Sequence, residues 1–367
     1  GNPLIADQIL NDLISRKCRL AEPGEYTKRA FLNGKLDLTQ AESVAELIAA
    51  KSEIELEIAN HQLLGSLSNK LRNIQLDLIR LQAKFEASID FPEDEITEHN
   101  LTEIQSAIAS IKKTINQLIK SADLKESFSQ GIKVSLIGPP NVGKSSIFNN
   151  LIHSNRAIVN SKPGTTRDYL SKEIVNSGYR IELFDTAGIR DTVMEVEKQG
   201  IENTVELIKD SSVILLVFDS SLPYPINFFN YIKNEINNQS IIIIENKNDL
   251  KRKIITDNYP PHFNIVGSST FDDDCSSKIV NEIVNAIKDK FKVNPSSDIL
   301  VSKRQNKHLN DSMLHLSEVQ ELCKIKIEEE IILQELKLCL ESINLIIGQT
   351  DNEDMLDELF KNFCIGK

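Results

Sequence analysis

GPPNVGKSS, at residues 138–146, has the pattern G-x-x-x-x-G-K-S of a phosphate-binding P-loop. An apolar run at 132–137 precedes it and a helical run at 147–152 follows it, which is the strand–loop–helix context that the motif needs. The glycines let backbone N–H groups approach phosphate oxygens, and the helix N-terminus adds a dipole that favours an anion. Lys144 can reach the β- and γ-phosphates, and the Ser145 hydroxyl can bind Mg²⁺. A chance glycine loop is the alternative, and the flanking strand and helix argue against it.

Two later segments predict that the bound nucleotide carries guanine. The N-K-x-D pattern at 246–249 follows an apolar run typical of a buried strand. Its Asp249 can accept hydrogen bonds from the N1–H and 2-amino groups of guanine, and adenine offers no such edge. Ser268-Ser269-Thr270 follows a short apolar segment and could place a backbone N–H near the guanine O6. Serine pairs are common in loops, so this second match has weight only together with the first.

Magnesium ligands are predicted from two further segments. Asp185, in the sequence Asp185-Thr186-Ala187-Gly188, ends an apolar run, where the carboxylate that supports the metal belongs. The sequence GTTRD at 164–168 lies between the P-loop and Asp185, where a switch loop is expected. Thr166 is the candidate second hydroxyl ligand of Mg²⁺ beside Ser145.

Composition and charge limit the class of protein. The chain has 367 residues, a hydrophobic content of 40% and a net charge of −12, which suits globular domains and does not favour a surface that binds nucleic acid as a whole. Five cysteines without a C-x-x-C pair favour a reducing, cytoplasmic compartment. No apolar run reaches the ~18 residues of a membrane span, and no signal peptide is recognisable at the start. The first residue is not Met, which indicates a fragment.

The hydrophobic pattern predicts an α/β domain inserted into an all-α helical bundle. Residues 131–292 alternate helical segments with apolar strands, which is typical of a mostly parallel sheet with helices on both faces. The strands centre on Val134, Ile181, Leu215, Ile243 and Ile265. The flanks 34–130 and 293–367 have apolar residues at three- and four-residue steps, as helices do. In the first flank we predict one long amphipathic helix that ends near residue 90 and a second that begins near residue 101.

The residues resemble those of the MnmE (TrmE) family of tRNA modification GTPases over nearly the whole chain. Besides the nucleotide motifs, the resemblance rests on FLNGKLDL at 31–38 and on CIGK at 364–367. It implies that residues 1–33 are the remnant of an N-terminal folate-binding domain, 34–130 and 293–367 the two parts of the helical domain, and 131–292 the GTPase domain. A GTPase domain inserted into a helical domain that closes with C-I-G-K is a narrow signature.

The resemblance implies a role in carboxymethylaminomethyl-type modification at C5 of the wobble uridine of tRNA, with the flavoprotein MnmG as partner. The one-carbon unit would come from a tetrahydrofolate derivative, near which the family uses positions that match Lys35 and Lys367. Cys364 would take part in the chemistry. The incomplete folate-binding part leads us to expect that the chain hydrolyses GTP to GDP but supports little modification. We also expect Cys364 to lie near Lys35.

Hydrolysis by this family would use K⁺ in place of an arginine finger. The resemblance gives Asn141 as a K⁺ ligand and the backbone of the loop from Asn160 to Thr165 as the rest of the site. Two GTPase domains of a homodimer would face each other across their switch loops to close it. Ile189 occupies the place where Ras-like proteins have the glutamine that orients water, and an isoleucine cannot form that hydrogen bond. The resemblance gives Glu197 as the candidate for that task.

The predicted site residues are then as follows. The catalytic candidates are Lys144, Glu197 and Cys364. Those that bind a nucleotide or cofactor are Lys35, Asn141, Val142, Gly143, Lys144, Ser145, Ser146, Asn160, Ser161, Lys162, Pro163, Gly164, Thr165, Thr166, Asp185, Thr186, Ala187, Gly188, Asn246, Lys247, Asn248, Asp249, Ser268, Ser269, Thr270 and Lys367. The metal ligands are Ser145 and Thr166 for Mg²⁺, and Asn141, Asn160, Lys162 and Thr165 for K⁺.

Two other functions remain open at this point. A ribosome-assembly GTPase, which binds RNA as a switch without modifying it, shares the P-loop and N-K-x-D motifs. Many such proteins carry a KH domain with a G-x-x-G loop after the GTPase, and no G-x-x-G follows residue 293 here. The third possibility is a folded scaffold without modifying activity.

Overall fold

A computed structural model describes residues 2–90, 98–154, 156–158, 170–185, 204–254, 259, 263–269, 272, 274–325, 329–349, 356, 359–361 and 363. The chain divides into two compact units. We call them the helical unit, made of residues 1–50, 55–123 and 296–367, and the sheet unit, made of residues 51–54 and 124–295. Among the described residues, no helix combines the length and the apolar character needed to cross a membrane.

The sheet unit contains one sheet, in which seven strands are described, in the order β2-β3-β4-β1-β5-β6-β7. The strands are β1 (Ile132–Ile137), β2 (Arg156–Ile158), β3 (Leu170–Asn176), β4 (Tyr179–Asp185), β5 (Val213–Asp219), β6 (Ser240–Asn246) and β7 (Asn264–Gly267). β4, β1, β5, β6 and β7 pair in parallel, whereas β2 and β3 are antiparallel to their neighbours. The predicted mostly parallel sheet is confirmed, and each predicted strand centre lies within a parallel strand.

The helices of this unit are α7 (Lys144–Ser154), α8 (204–210), α9 (Ile226–Ile232) and α10 (Cys275–Phe291). Every residue of β5 is buried, as a parallel strand covered on both faces requires. Its alternate residues Ile214, Leu216 and Phe218 pack with Ile208 of α8 and Ile232 of α9. The carboxyl ends of β1, β4, β5 and β6 therefore meet at one edge of a rigid sheet.

The helical unit is built from α1 (Pro3–Ser15), α2 (Glu25–Leu32), α3 (Leu38–Ala49), α4 (Glu53–Leu63), α5 (Ser66–Asp90), α6 (Glu98–Gln130), α11 (Lys303–Ile325) and α12 (Glu329–Ile347). Its main core joins the apolar faces of α5 and α6 to those of α11 and α12, with Leu78, Ile108, Leu316 and Leu336 fully buried at its centre. The two flanks of the sheet unit thus share one core.

The first flank differs from the prediction of one long helix. The apolar stripe is divided among α3, α4 and α5. α4 and α5 are separated at Gly65, whose φ of +92° is incompatible with a continuing helix. α3 begins separately because Asp37 and Gln40 form a reciprocal capping box at its N-terminus. The second helix of this flank, which we predicted to begin near residue 101, is α6 and begins at Glu98.

Candidate functional site

The P-loop lies between the end of β1 and the first turn of α7, as the motif predicted. Gly143 has a φ of +97°, and a Cβ built on it would lie 2.2 Å from Nδ2 of Asn246. The loop therefore admits no side chain at this position. Asn141 also has positive φ, at +62°.

Lys144 is buried at the start of α7. Its Nζ donates to the carbonyl oxygens of Gly138 at 2.8 Å and Pro139 at 2.9 Å. Burial lowers the pKa of Lys144, and the nearby Asp185 carboxylate opposes that effect. A buried ammonium held beside a loop of backbone N–H groups is suited to bind the phosphates of a nucleotide, which would supply the negative charge.

Ser145 and Asp185 are brought together at the edge of the sheet. The Ser145 Oγ donates to Oδ2 of the buried Asp185 at 2.8 Å. β4 pairs with β1 so that Asp185 lies beside Leu136, just before the P-loop. A hydroxyl and a carboxylate are oxygen ligands of the kind that Mg²⁺ takes, so this pair fits one side of a magnesium site. The other predicted ligand, Thr166, lies outside the described residues.

The N-K-x-D loop is hydrogen-bonded to the P-loop. Nδ2 of the buried Asn246 donates to the carbonyl oxygen of Val142 at 2.8 Å. The Lys247 Nζ donates to the carbonyl oxygen of Asn141 at 3.1 Å. Ser268, which is buried, donates to Oδ1 of Asn246 at 3.3 Å. The structure therefore places the P-loop and the N-K-x-D loop side by side.

The Asp249 carboxylate is exposed at the end of the N-K-x-D loop. Its Oδ1 accepts a hydrogen bond from the Ser269 hydroxyl at 2.9 Å. The backbone N–H of Asn248 donates to the carbonyl oxygen of Ser268 at 3.1 Å. The segment at 268–269 thus holds the loop from the side, and the carboxylate keeps acceptor sites for a donor edge such as that of guanine. Ser146 is exposed in the first turn of α7.

Sequence reasoning missed Asp219, the last residue of β5. The Lys247 Nζ lies 2.6 Å from its Oδ2. The available signal was the position of Asp219 at the carboxyl end of a central parallel strand, where ligand sites of such sheets form. Its role depends on a partner that only the fold brings near.

The other predicted residues fall into two groups. Those that lie outside the described residues are Asn160, Ser161, Lys162, Pro163, Gly164, Thr165, Thr166, Thr186, Ala187, Gly188, Glu197, Thr270, Cys364 and Lys367. Lys35 belongs to the helical unit, where it is exposed and lines a cleft of about 850 Å³ together with Gln40, Arg72 and Gln349. Phe363 packs in a small apolar cluster with Phe31 and Leu38, on the stretch that carries Lys35.

Comparisons with known proteins agree with this geometry. A family model described as the MnmE helical domain matches residues 38–364, and one described as the N-terminus of the GTP-binding protein TrmE matches residues 1–35. The tRNA modification GTPase MnmE of Desulforamulus reducens is 37% identical over 365 residues, covering 98% of this chain and 79% of that protein. MnmE of Aquifex aeolicus is 36% identical over 368 residues, covering 100% of this chain and 81% of that protein. The chain belongs to the MnmE family of tRNA modification GTPases.

Proposed function

We propose that this chain hydrolyses GTP as part of the modification of tRNA at C5 of the wobble uridine, with the flavoprotein MnmG as its partner. The observation that carries the proposal is the hydrogen-bonded contact of the P-loop with the N-K-x-D loop, from Asn246 to Val142. This contact joins a site for phosphates to a site for guanine in a member of a family named for tRNA modification and GTP hydrolysis. The match to that family on both sides of the sheet unit gives no support to a ribosome-assembly switch.

The first experiment separates GTP hydrolysis from nucleic-acid modification. Phosphate release is measured for the chain with GTP and with ATP, in K⁺ and Mg²⁺. We expect hydrolysis of GTP and none of ATP. The chain is then incubated with MnmG, a tetrahydrofolate one-carbon donor, GTP and tRNA, and the digested tRNA is examined by mass spectrometry. A GTP-dependent change at the wobble uridine supports the proposal. Since we expect little modification from this chain, the change should appear in only a small fraction of the tRNA. No change at all, beside active MnmG and a working GTPase, would reject the modification part alone.

The catalytic step would use Mg²⁺, K⁺ and a positioned water. Ser145 and Asp185 would hold Mg²⁺ from one side, with Thr166 completing the set. Asn141 and the loop from Asn160 to Thr165, including Lys162, would hold K⁺. Glu197 would orient the water. A Glu197→Ala variant should keep its affinity for GDP and lose most of its turnover, and hydrolysis should fall when K⁺ is replaced by Na⁺.

The same mechanism implies a homodimer of GTPase domains in the cytoplasm. Each K⁺ site would be closed by the switch loops of a second copy. The chain should therefore form dimers in GDP, AlF₄⁻ and K⁺, measured by light scattering, and fewer dimers in Na⁺. A monomer under both conditions would exclude this assembly.

A tetrahydrofolate derivative would bind near Lys35. Phe363 and Phe31 both pack against Phe360, which supports the proposal because residue 363 directly precedes Cys364 and Lys367 follows shortly after. Cys364, Lys367 and Lys35 would then serve one folate-adjacent site. The test is a cross-linker that joins the Cys364 thiol to nearby lysine amines. If it reaches other lysines and never Lys35, then Cys364 and Lys35 do not belong to one site.

A further inference from the structure

The turn after β5 contacts the N-K-x-D loop through Asp219 and Ser220. We name Asp219, Ser220 and Ser221 the serine corner. The backbone N–H of Ser220 donates to the Asn246 carbonyl at 2.9 Å, and its hydroxyl donates to the Lys247 carbonyl at 3.0 Å. Ser220 is fully buried, and its own carbonyl accepts from the N–H groups of Lys253 and Ile254. Ser220 thus holds the chain at two residues within the loop and at two residues after it.

The backbone of Lys247 needs this support. Its φ of +60° lies in the left-handed region, which a residue with a side chain rarely adopts unless its surroundings fix it. The hydrogen bond from Ser220 to the Lys247 carbonyl is one such constraint. The serine corner therefore stabilises the conformation in which the N-K-x-D loop turns toward the P-loop.

The Lys247 side chain is held from its charged end. Its Nζ lies 2.6 Å from Oδ2 of Asp219 and 3.1 Å from the Asn141 carbonyl. Oδ1 of Asp219 accepts from the backbone N–H of Ser221 at 2.9 Å and from its hydroxyl at 2.6 Å. Burial alone would raise the pKa of Asp219, but the hydrogen bonds from Lys247 and Ser221 outweigh it and lower that pKa. The carboxylate is thus ionised at neutral pH, and its direction is fixed by Ser221.

We propose that Asp219 is a positioning residue for guanine-nucleotide binding, which acts through Lys247 to hold the base-reading loop against the P-loop. The side chain of Asp219 is buried, whereas that of Lys247 is about one-third exposed. The Lys247 ammonium therefore lies between the Asp219 carboxylate and the Asn141 carbonyl oxygen of the P-loop. Asp219 would therefore set the affinity for the nucleotide without touching it. The inference rests on the proposed GTP site and names a determinant of its affinity.

The test is a double-mutant cycle on the dissociation constant for GDP, measured with a fluorescent GDP analogue and competing GDP. Asp219→Asn keeps the shape and the bonds from Ser221 but removes the charge, and it should weaken GDP binding about ten-fold, as expected for the loss of a charge-assisted hydrogen bond. In a Lys247→Met background, which keeps the lysine stem, the same change should weaken binding no further. At saturating GTP the kcat of Asp219→Asn should equal that of the parent, while its KM rises.

The matched control is Glu173→Gln. Glu173 forms an ion pair with Arg180 in the same unit, on β3 and β4 and apart from the loops of the site. Its substitution removes a comparable charge and should leave the affinity for GDP unchanged. The inference would be overturned if Asp219→Asn weakened GDP binding equally in the parent and in the Lys247→Met background. It would also be overturned if Asp219→Asn did not weaken GDP binding at all. Failure of the unaltered chain to bind GDP would instead overturn the proposed function.

A second variant keeps the proposal testable if Asp219→Asn does not fold. Ser221→Ala removes the hydroxyl donor to Oδ1 of Asp219 and retains the backbone donor. We expect a smaller loss of GDP affinity in the same direction, which again disappears in the Lys247→Met background. Parental affinity in Ser221→Ala would count against the inference.

Discussion

Nδ2 of Asn246 lies 2.8 Å from the carbonyl oxygen of Val142, across the space in which a Cβ at residue 143 would have to fit. The P-loop and the N-K-x-D loop are therefore hydrogen-bonded to each other. A change in either loop is expected to alter the affinity for both parts of the nucleotide.

Gly143→Ala should abolish tight GDP binding. The new methyl group would meet Nδ2 of Asn246 at 2.2 Å, at a φ that disfavours any side chain, so the two loops must separate. Gly34→Ala is the matched control, because Gly34 has a similar φ of +66° and nothing within 4 Å of the new methyl group. It should cost about 1 kcal/mol of unfolding free energy and leave GDP affinity unchanged. Calorimetry with GDP measures both, and parental affinity in Gly143→Ala would contradict the loop contact.

Asp249→Asn should change the preferred base of the bound nucleotide from guanine to xanthine. The carboxylate is exposed, accepts from Ser269 and retains acceptor sites for the N1–H and 2-amino groups of guanine. An amide replaces part of that acceptor edge with a donor, which should weaken GDP by about 2 kcal/mol and improve binding of xanthosine diphosphate. Competition between the two nucleotides provides the measurement. A variant that still prefers GDP to the same degree would show that another group reads the base.

Ser145→Ala should raise the Mg²⁺ concentration needed for half-maximal hydrolysis. The hydroxyl lies 2.8 Å from Asp185, and its loss removes one oxygen ligand while the carboxylate remains. Ser154→Ala makes the same change at the other end of α7, where the hydroxyl donates to the Asn150 carbonyl oxygen at 2.6 Å, and it should leave the Mg²⁺ dependence as it is. If both variants respond to Mg²⁺ like the parent, Ser145 is not a ligand.

The Asp219 carboxylate should give the sheet unit a stability that depends on pH. Its pKa is lowered in the folded state, because the bonds from Lys247 and Ser221 outweigh burial. A carboxyl with a lowered folded pKa stabilises the fold above its unfolded pKa of about 3.9, and this contribution is lost as the pH falls through the folded value. The difference in unfolding free energy between the parent and Asp219→Asn should be constant from about pH 7 to pH 5 and shrink below about pH 4. Urea unfolding at these pH values checks it, and a difference that grows in acid would contradict it.

Glu42→Ala should destabilise the helical unit. The Arg304 guanidinium pairs with both oxygens of Glu42 and also donates to the carbonyls of Leu345 and Ile346 at the end of α12. Removing the carboxylate leaves a largely buried cation, at a cost of about 3 kcal/mol. Glu103→Ala removes the exposed partner of Lys84 in the same unit and should cost less than about 1 kcal/mol. Urea midpoints for the helical signal compare the two, and equal losses would show that the buried pair contributes no more than the exposed one.

How well an element could be predicted from the sequence depended on how its residues are buried. The parallel strands were predicted because strands covered on both faces are continuous apolar runs, as in β5. β3 was missed because three consecutive polar residues, Ser171, Lys172 and Glu173, interrupt it, so that no continuous apolar run marks the strand. The helical break at Gly65 was missed because buried apolar residues lie on both sides of it, Ile54 and Ile58 before it and Leu67 and Leu71 after it.

The site divides in the same way. The loops at 141–146 and 246–249 could be located from the sequence, because the residues of each motif are adjacent in the chain and have a fixed spacing. Asp219 could not, because its function depends on contact with Lys247, which follows a helix and a strand later. No spacing rule in a single sequence links two such positions.

The shared core of the helical unit imposes an order on synthesis at the ribosome. α5 and α6 must bury their apolar faces against α11 and α12, yet the sheet unit is translated in between. At cellular rates of elongation this interval lasts on the order of ten seconds, long compared with the folding of a domain. The sheet unit, whose strands are nearly consecutive in the chain, can fold as soon as it emerges. Until the last two helices follow, the faces of α5 and α6 stay open to chaperones and to the neighbouring chains on a polysome.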